Sequence, residues 1–257
     1  VGEDGRGRLE AQQRSAAIGG RRASMRTSAE VEVRTRVPSD AERRLIIVGA
    51  GGHAKVVADV ALAAGYHILG FADDAADAPP LPGWTVLGPI SRVARILHGA
   101  PGAQIIVAIG DNASRQRVVQ YLTGQVHPSL RTIFATVIHP AATVSSYASV
   151  QPGSVIMAGA VVNAGTQVGS HAILNTSCSV DHDCVIGSFA HLSPGAHLAG
   201  GVKIEDGVHL GVGVSVIPLR HIGAWTLVGA GAAVVDDLPG RVVAYGVPAK
   251  VVRQLKG

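Results

Sequence analysis

Aromatic residues are scarce in this sequence: three Phe, four Tyr and two Trp among 257 residues. Large rings usually supply much of a globular core, so this chain must pack itself from small and aliphatic side chains. Cysteine is scarcer still. The two thiols, Cys178 and Cys184, read as packing groups rather than a disulfide. Burial in apolar surroundings would raise their pKa and disfavours a nucleophilic role. No apolar run reaches the roughly 18 residues that a membrane-spanning helix needs, and the N-terminus has no apolar stretch of the secretory kind. The expectation is a cytoplasmic protein without membrane insertion. Positive charge is in excess only at one end. Residues 1–44 carry ten arginines against seven acids, which leaves twelve basic and eleven acidic residues for the rest. A nucleic-acid footprint needs basic residues clustered on a folded face, so no nucleic-acid partner is expected.

What is present is a period of six. From Ile138 to Val234 an aliphatic residue returns at every sixth position, running Ile138, Val144, Val150, Ile156 and on to Ile222, Val228 and Val234. Two positions before each stands a small or compact residue, with Arg220 the clear exception. Six matches neither a helix nor a flat strand. A coil of three short strands, one hexad each, supplies it: every sixth side chain enters a triangular core, and coils of 18 residues stack. Stacked strands lie about 4.8 Å apart, so only small side chains fit beside the aliphatic ones. The pattern predicts a parallel β-helix of about five coils. In it His191, His197, His209 and His221 each precede an inward aliphatic. His191 and His209, 18 apart, should stack, and His197, His209 and His221 should sit on solvated faces.

Before the coils, Leu45–Val48 reads as a buried strand and Gly49–Lys55 as a glycine-rich turn. A helix then runs to about Gly65, and a second strand runs into Asp73 and Asp74. This βαβ unit puts free amides at a helix N-terminus, where phosphate is favoured. A full dinucleotide fold needs about twice the length, and the third fingerprint glycine is Ala54. A mononucleotide or nucleotide-sugar site fits better, and a tight turn without ligand is the alternative. Gly49–His53, Asp73–Asp74 and Gly110–Asn112 all fall at strand C-terminal ends, where ligands of parallel sheets gather. The expected division is a disordered basic tail over 1–44, with Met25 a candidate start. A Rossmann-like α/β domain follows over 45–135, a β-helix over 136–238 and a C-terminal tail over 239–257.

The motifs Ile-Val-Gly-Ala-Gly-Gly-His-Ala-Lys, Gly-Phe-Ala-Asp-Asp, Ala-Ile-Gly-Asp-Asn, Asn175-Thr-Ser-Cys-Ser-Val-Asp-His182-Asp-Cys-Val-Ile-Gly and Gly-Val-Pro-Ala-Lys occur in that order. Together they resemble the NeuD/PglD family of sugar O- and N-acetyltransferases, over nearly everything from Leu45 to Arg253. The resemblance implies a left-handed β-helix, acetyl-CoA as co-substrate without a metal, and a homotrimer with sites between subunits. It implies His182 as general base with Asp183 beside it. Asp183 is a methylene shorter than the Glu common in the family, and Asp181 competes for the same contact. Gly51, Gly52, His53, Asp73, Asp74 and Asn175 would hold the acceptor. His191, Gly200, Val212, Ala230 and Lys250 would lie along acetyl-CoA. The expected reaction is acetyl transfer to the amine of a UDP-linked 4-amino sugar, by direct attack. A sialic-acid-type hydroxyl is the alternative acceptor. A zinc lyase like the β-helix carbonic anhydrases and a non-catalytic nucleotide-sugar-binding trimer are the alternatives of other classes.

Overall fold

The computed structural model describes residues 43–75, 81–125 and 133–255. The expected disordered tail therefore lies outside the described residues, except that Arg44 already opens the first strand. Strand β1 (Arg44–Val48), helix α1 (Gly52–Ala63), β2 (His67–Ala72), β3 (Val86–Gly88), α2 (Val93–Gly99), β4 (Gln104–Val107) and α3 (Asn112–Gln125) form the α/β part. Its sheet has the order β3-β2-β1-β4 and is parallel throughout. Strand β1 is central, and Leu45, Ile46, Ile47 and Val48 are all fully buried. That explains its unbroken apolar run, since both faces of a parallel sheet are covered. Helix α1 turns Ala54, Val57, Ala58 and Ala61 inward at helical spacing and leaves Lys55 and Asp59 outside.

From Val137 to Val234 the chain forms seventeen two-residue strands in three parallel sheets. Each strand pairs with the one 18 residues away, as Ile173 does with His191 and Ser179 with His197. The second residue of each pair is the hexad aliphatic, and it points into the prism. From Ile156 to Val234 these residues are all nearly or fully buried, with Cys178 and Cys184 between them as free thiols. Each such aliphatic contributes about 1.5–3 kcal/mol by leaving water, so the stack dominates the stability of the coil. The corners repeat as well. Every sixth residue from Gly153 to Gly231 has a positive φ, filled by glycine or by His171, Ser177, Asp183, Phe189, Leu219 and Trp225.

The three faces differ in what they show outward. The first carries Val137, Val155, Ile173, His191, His209 and Leu227; the second Thr143, Val161, Ser179, His197, Ser215 and Ala233; the third Ser149, Gln167, Val185, Lys203 and His221. Val137, Val155 and Ile173 are buried in one cluster with Leu45, Val57 and Tyr66, so the α/β part docks on the first face. The C-terminal tail expected over 239–257 is a hairpin. Strand β22 (Val242–Tyr245) extends the first face beside Leu227–Val228, and β23 (Lys250–Gln254) returns antiparallel.

Candidate active site

At the C-terminal edge of the α/β sheet the three expected segments meet. Gly51 and Gly52 face open space, and helix α1 begins without a side-chain cap, so its first amides have no side-chain partner. Asp73 Oδ2 accepts the Ala50 N–H at 2.7 Å and its Oδ1 accepts that of Ala75 at 2.8 Å. Asp74 Oδ1 accepts the Ile90 N–H at 2.8 Å. Both carboxylates therefore brace the loops that carry them. Along the same edge a cleft of about 540 Å³ is lined by Asp74, Ile90, Ser91, Ser114, Arg117 and Tyr121. Sequence reasoning did not single out Ser91, Arg117 or Tyr121.

Behind this edge, imidazoles gather where the α/β part covers the first face. The His191 ring stacks on His209, with centroids 4.7 Å apart and planes 12° apart, and lies 6.0 Å from His53. His191 Nδ1 meets the Gly110 carbonyl at 3.3 Å, and its Nε2 meets Asn175 Nδ2 at 3.1 Å. His209 Nε2 meets Ser193 Oγ at 3.0 Å. Burial, then the nearby His209 and Arg115 charges, push His191 down to about 3. Burial and then Arg115 push His53 down to about 4. Both rings are neutral at physiological pH. His53 Nε2 is buried without a hydrogen-bond partner among the described residues. The stacking of His191 on His209 was legible from the sequence, but His209 is half-buried rather than on a solvated face.

His182 stands elsewhere, on the edge between the second and third faces, in the turn joining Ser179–Val180 to Val185–Ile186. Its side chain is 63% exposed, and Nδ1 lies 2.8 Å from Asp183 Oδ2. Asp181 does not compete for the ring. Its Oδ1 instead accepts the His182 backbone N–H at 2.8 Å and the Asn163 amide at 3.0 Å. The Asp183 hydrogen bond, then the Asp181 charge, hold His182 above its usual range. Asp183 occupies a positive-φ corner, and its Oδ1 lies over Gly165 of the preceding coil, where a Cβ would stand only 2.3 Å away. The ring lies over Gly200 of the next coil, where a Cβ would stand 2.6 Å from Nε2. Two glycines thus make room for the imidazole–carboxylate pair.

Within one chain the remaining expected residues do not surround His182. Gly200 shares its edge, but Asn175, Val212 and Ala230 lie in turns on the edge between the first and second faces. Val212 and Ala230 are exposed there. Lys250, on β23, pairs with Asp236 at 3.2 Å. Among the described residues no group of three or more His, Cys, Asp or Glu is arranged to hold a metal ion, and no helix is long and apolar enough to cross a membrane.

The model of the PglD N-terminal domain family matches residues 44–122. A search of curated proteins by sequence finds no match. Among solved structures, a mutant of perosamine N-acetyltransferase from Caulobacter crescentus, in complex with CoA and GDP-perosamine, is 39% identical; the match covers 82% of this chain and 97% of that one, with a TM-score of 0.75. The acetyltransferase domain of PglB from Neisseria gonorrhoeae, in complex with acetyl coenzyme A, is 37% identical over 82% of this chain and all of that one, with a TM-score of 0.74. WeeI from Acinetobacter baumannii, 23% identical over 81% of this chain and 99% of its own with a TM-score of 0.68, shares the fold. An α/β domain followed by a left-handed parallel β-helix defines this protein as an acyltransferase. It belongs to the NeuD/PglD-like family of sugar acetyltransferases.

Proposed function

We propose that this chain transfers the acetyl group of acetyl-CoA to the amine of a nucleotide-linked 4-amino sugar, with UDP as the first-choice nucleotide and His182 as the base. One observation carries the reading: the Nδ1 contact of His182 with Asp183 at 2.8 Å. A carboxylate only accepts, so Nδ1 carries the proton and Nε2 keeps its lone pair. As the amine nitrogen bonds to the thioester carbonyl, Nε2 takes the amine proton. The tetrahedral state then collapses, the C–S bond breaks, and the proton passes to the departing thiolate. No acetyl-enzyme forms. Asp183 orients the ring and stabilises the imidazolium.

The uncapped N-terminus of α1, the Asp74–Arg117 cleft and the unpartnered His53 Nε2 support an acceptor lying along the sheet edge. In this reading Gly51, Gly52, His53, Asp73 and Asp74 hold its nucleotide and sugar. Asn175 contacts the sugar, and His191, Gly200, Val212, Ala230 and Lys250 line acetyl-CoA. Because His182 and Asn175 stand on different edges of one coil, the complete site is shared between neighbouring subunits of a homotrimer. The C. crescentus relative was solved with a GDP-linked sugar, so the acceptor panel pairs UDP- and GDP-linked amino sugars with free sialic acids. Free-CoA release from acetyl-CoA is the readout. Turnover on an amino sugar should fall by about two to four orders of magnitude in His182→Ala, the scale of a lost general base. Full activity in that variant would remove His182 from the mechanism. Turnover on a sialic acid alone would replace the amine by a hydroxyl.

A further inference from the structure

Arg115 is 1% exposed and stands in the first turn of α3. A cation is electrostatically misplaced at a helix N-terminus, and among the described residues no carboxylate oxygen lies within ion-pair distance of it. Its five N–H groups are nevertheless all used. Nε donates to the His171 carbonyl at 2.9 Å. Nη1 donates to the carbonyls of Ile109 at 2.8 Å and Gly110 at 3.2 Å. Nη2 donates to Asn112 Oδ1 at 2.9 Å and to the Phe189 carbonyl at 2.7 Å, with Ala190 at 3.5 Å beyond. Two of these carbonyls belong to the loop after β4, and three to the coils. Asn112 adds a second tie, donating to the carbonyls of Gly207 and Val208 at 3.1 and 3.2 Å.

Stability alone does not call for a charge at such a junction, because well-packed apolar residues commonly serve as well as a buried ion. The value of the fork lies in what it holds. The Gly110 carbonyl receives both Arg115 Nη1 and His191 Nδ1. A carbonyl only accepts, so Nδ1 of His191 bears the hydrogen and Nε2 is left as an acceptor. Nε2 faces Asn175 Nδ2. The other end of that amide is fixed independently, because Asn175 Oδ1 accepts the Thr176 backbone N–H at 2.8 Å. Both ends of the chain therefore rest on backbone groups whose donor or acceptor character cannot change.

We propose that Arg115 is a positioning residue: by holding the Gly110 carbonyl against the coil it fixes His191 in the Nδ1–H tautomer, and through it the orientation of the Asn175 amide. The α/β loop that would meet the acceptor is thereby tied to a coil residue of the transfer site. The assignment of Asn175 to the acceptor rests on the proposed function, but the tautomer does not. Its measurement therefore stands even if acetyl transfer is never detected.

The test is long-range proton–nitrogen NMR on the full chain labelled at its histidine ring nitrogens, with His191 assigned by the signals lost in His191→Asn. Wild type should show His191 protonated at Nδ1 and bare at Nε2. The opposite tautomer would overturn the proposal, and that result depends on no Arg115 variant. Arg115→Gln and Arg115→Lys should both give a mixed tautomer. Their kcat should fall about tenfold to a hundredfold, the scale for losing a group that orients an imidazole. Lysine should not rescue, since one ammonium cannot reproduce the fork. Variants that keep a pure Nδ1–H tautomer and wild-type kcat would refute the positioning role.

Discussion

A single methyl group at position 200 is the smallest change that reaches the His182 ring. A Cβ there would stand 2.6 Å from Nε2, 2.7 Å from Cε1 and 3.2 Å from Cδ2. Non-bonded atoms settle at about 3.5–4.0 Å, so the ring must retreat by roughly 1 Å. The backbone does not resist the substitution, because the φ of Gly200 lies outside the left-handed region. Nor does the core, since the imidazole is mostly exposed and can swing into solvent. Stability and rate should therefore separate. A 1 Å misplacement of a reacting group costs about 10²-fold in rate, so kcat/KM for CoA release in Gly200→Ala should drop by about two orders of magnitude. The melting temperature should stay within about 2 °C, because the displaced ring moves into solvent and no core side chain is disturbed. Wild-type turnover with an unchanged melt would show that the ring need not lie over Gly200, and would refute this geometry for the base.

Because the Asp183 contact and the Asp181 charge raise His182, and a base works only when deprotonated, log kcat/KM should climb through an inflection above the usual imidazole pKa and then level off. In Asp183→Asn the inflection should move to lower pH and the plateau should fall, as measured by a pH–rate profile. Acid should destabilise the fold by a separate route. His53 and His171 are pushed to about 4 and His191 to about 3, in each case chiefly by burial. The unfolded chain binds these protons first, so stability is fully present above about pH 6.5 and is lost as pH falls toward 4. His171 stacks on Phe189 at 5.1 Å, and His171→Phe should flatten that slope in melts run from pH 7 to 4. Leu192 is fully buried between Leu174 and Leu210. Leu192→Ala should cost about 2–5 kcal/mol, read from a urea midpoint.

The coil was legible because its signal is covalent in scale: a hexad aliphatic enters the prism whatever surrounds it, so the period survives in the bare sequence. The glycine turn and the strand ends at Asp73 and Gly110 were legible for a similar local reason. What the sequence hid depends on docking. His191, His197, His209 and His221 share one phase, yet only His191 and His209 lie on the face that the α/β part covers. Arg115 follows three residues after the legible Asn112, but its partners at His171 and Phe189 are 56 and 74 residues away. The one local hint was an arginine in a first helical turn, where the dipole disfavours it. Asp183 as the ring's partner, rather than Asp181, follows from the corner: a positive φ and the bare Gly165 let the shorter carboxylate fold back to Nδ1.

The 18-residue register sets a rule for how such a chain can change length. Strand partners are locked one full turn apart along the whole prism. A deletion of one hexad keeps every aliphatic pointing inward but rotates all downstream residues by one face. A hexad lost between His182 and His191 would move His191 and His209 to the third face, away from Gly110 and the α/β part, put His197 in the place of His191, and lift Gly200 out from beneath His182. The core would tolerate the loss and the site would not. Insertions and deletions within the coil are therefore quantised in whole turns, while corner loops, which leave the register untouched, are free to vary in length.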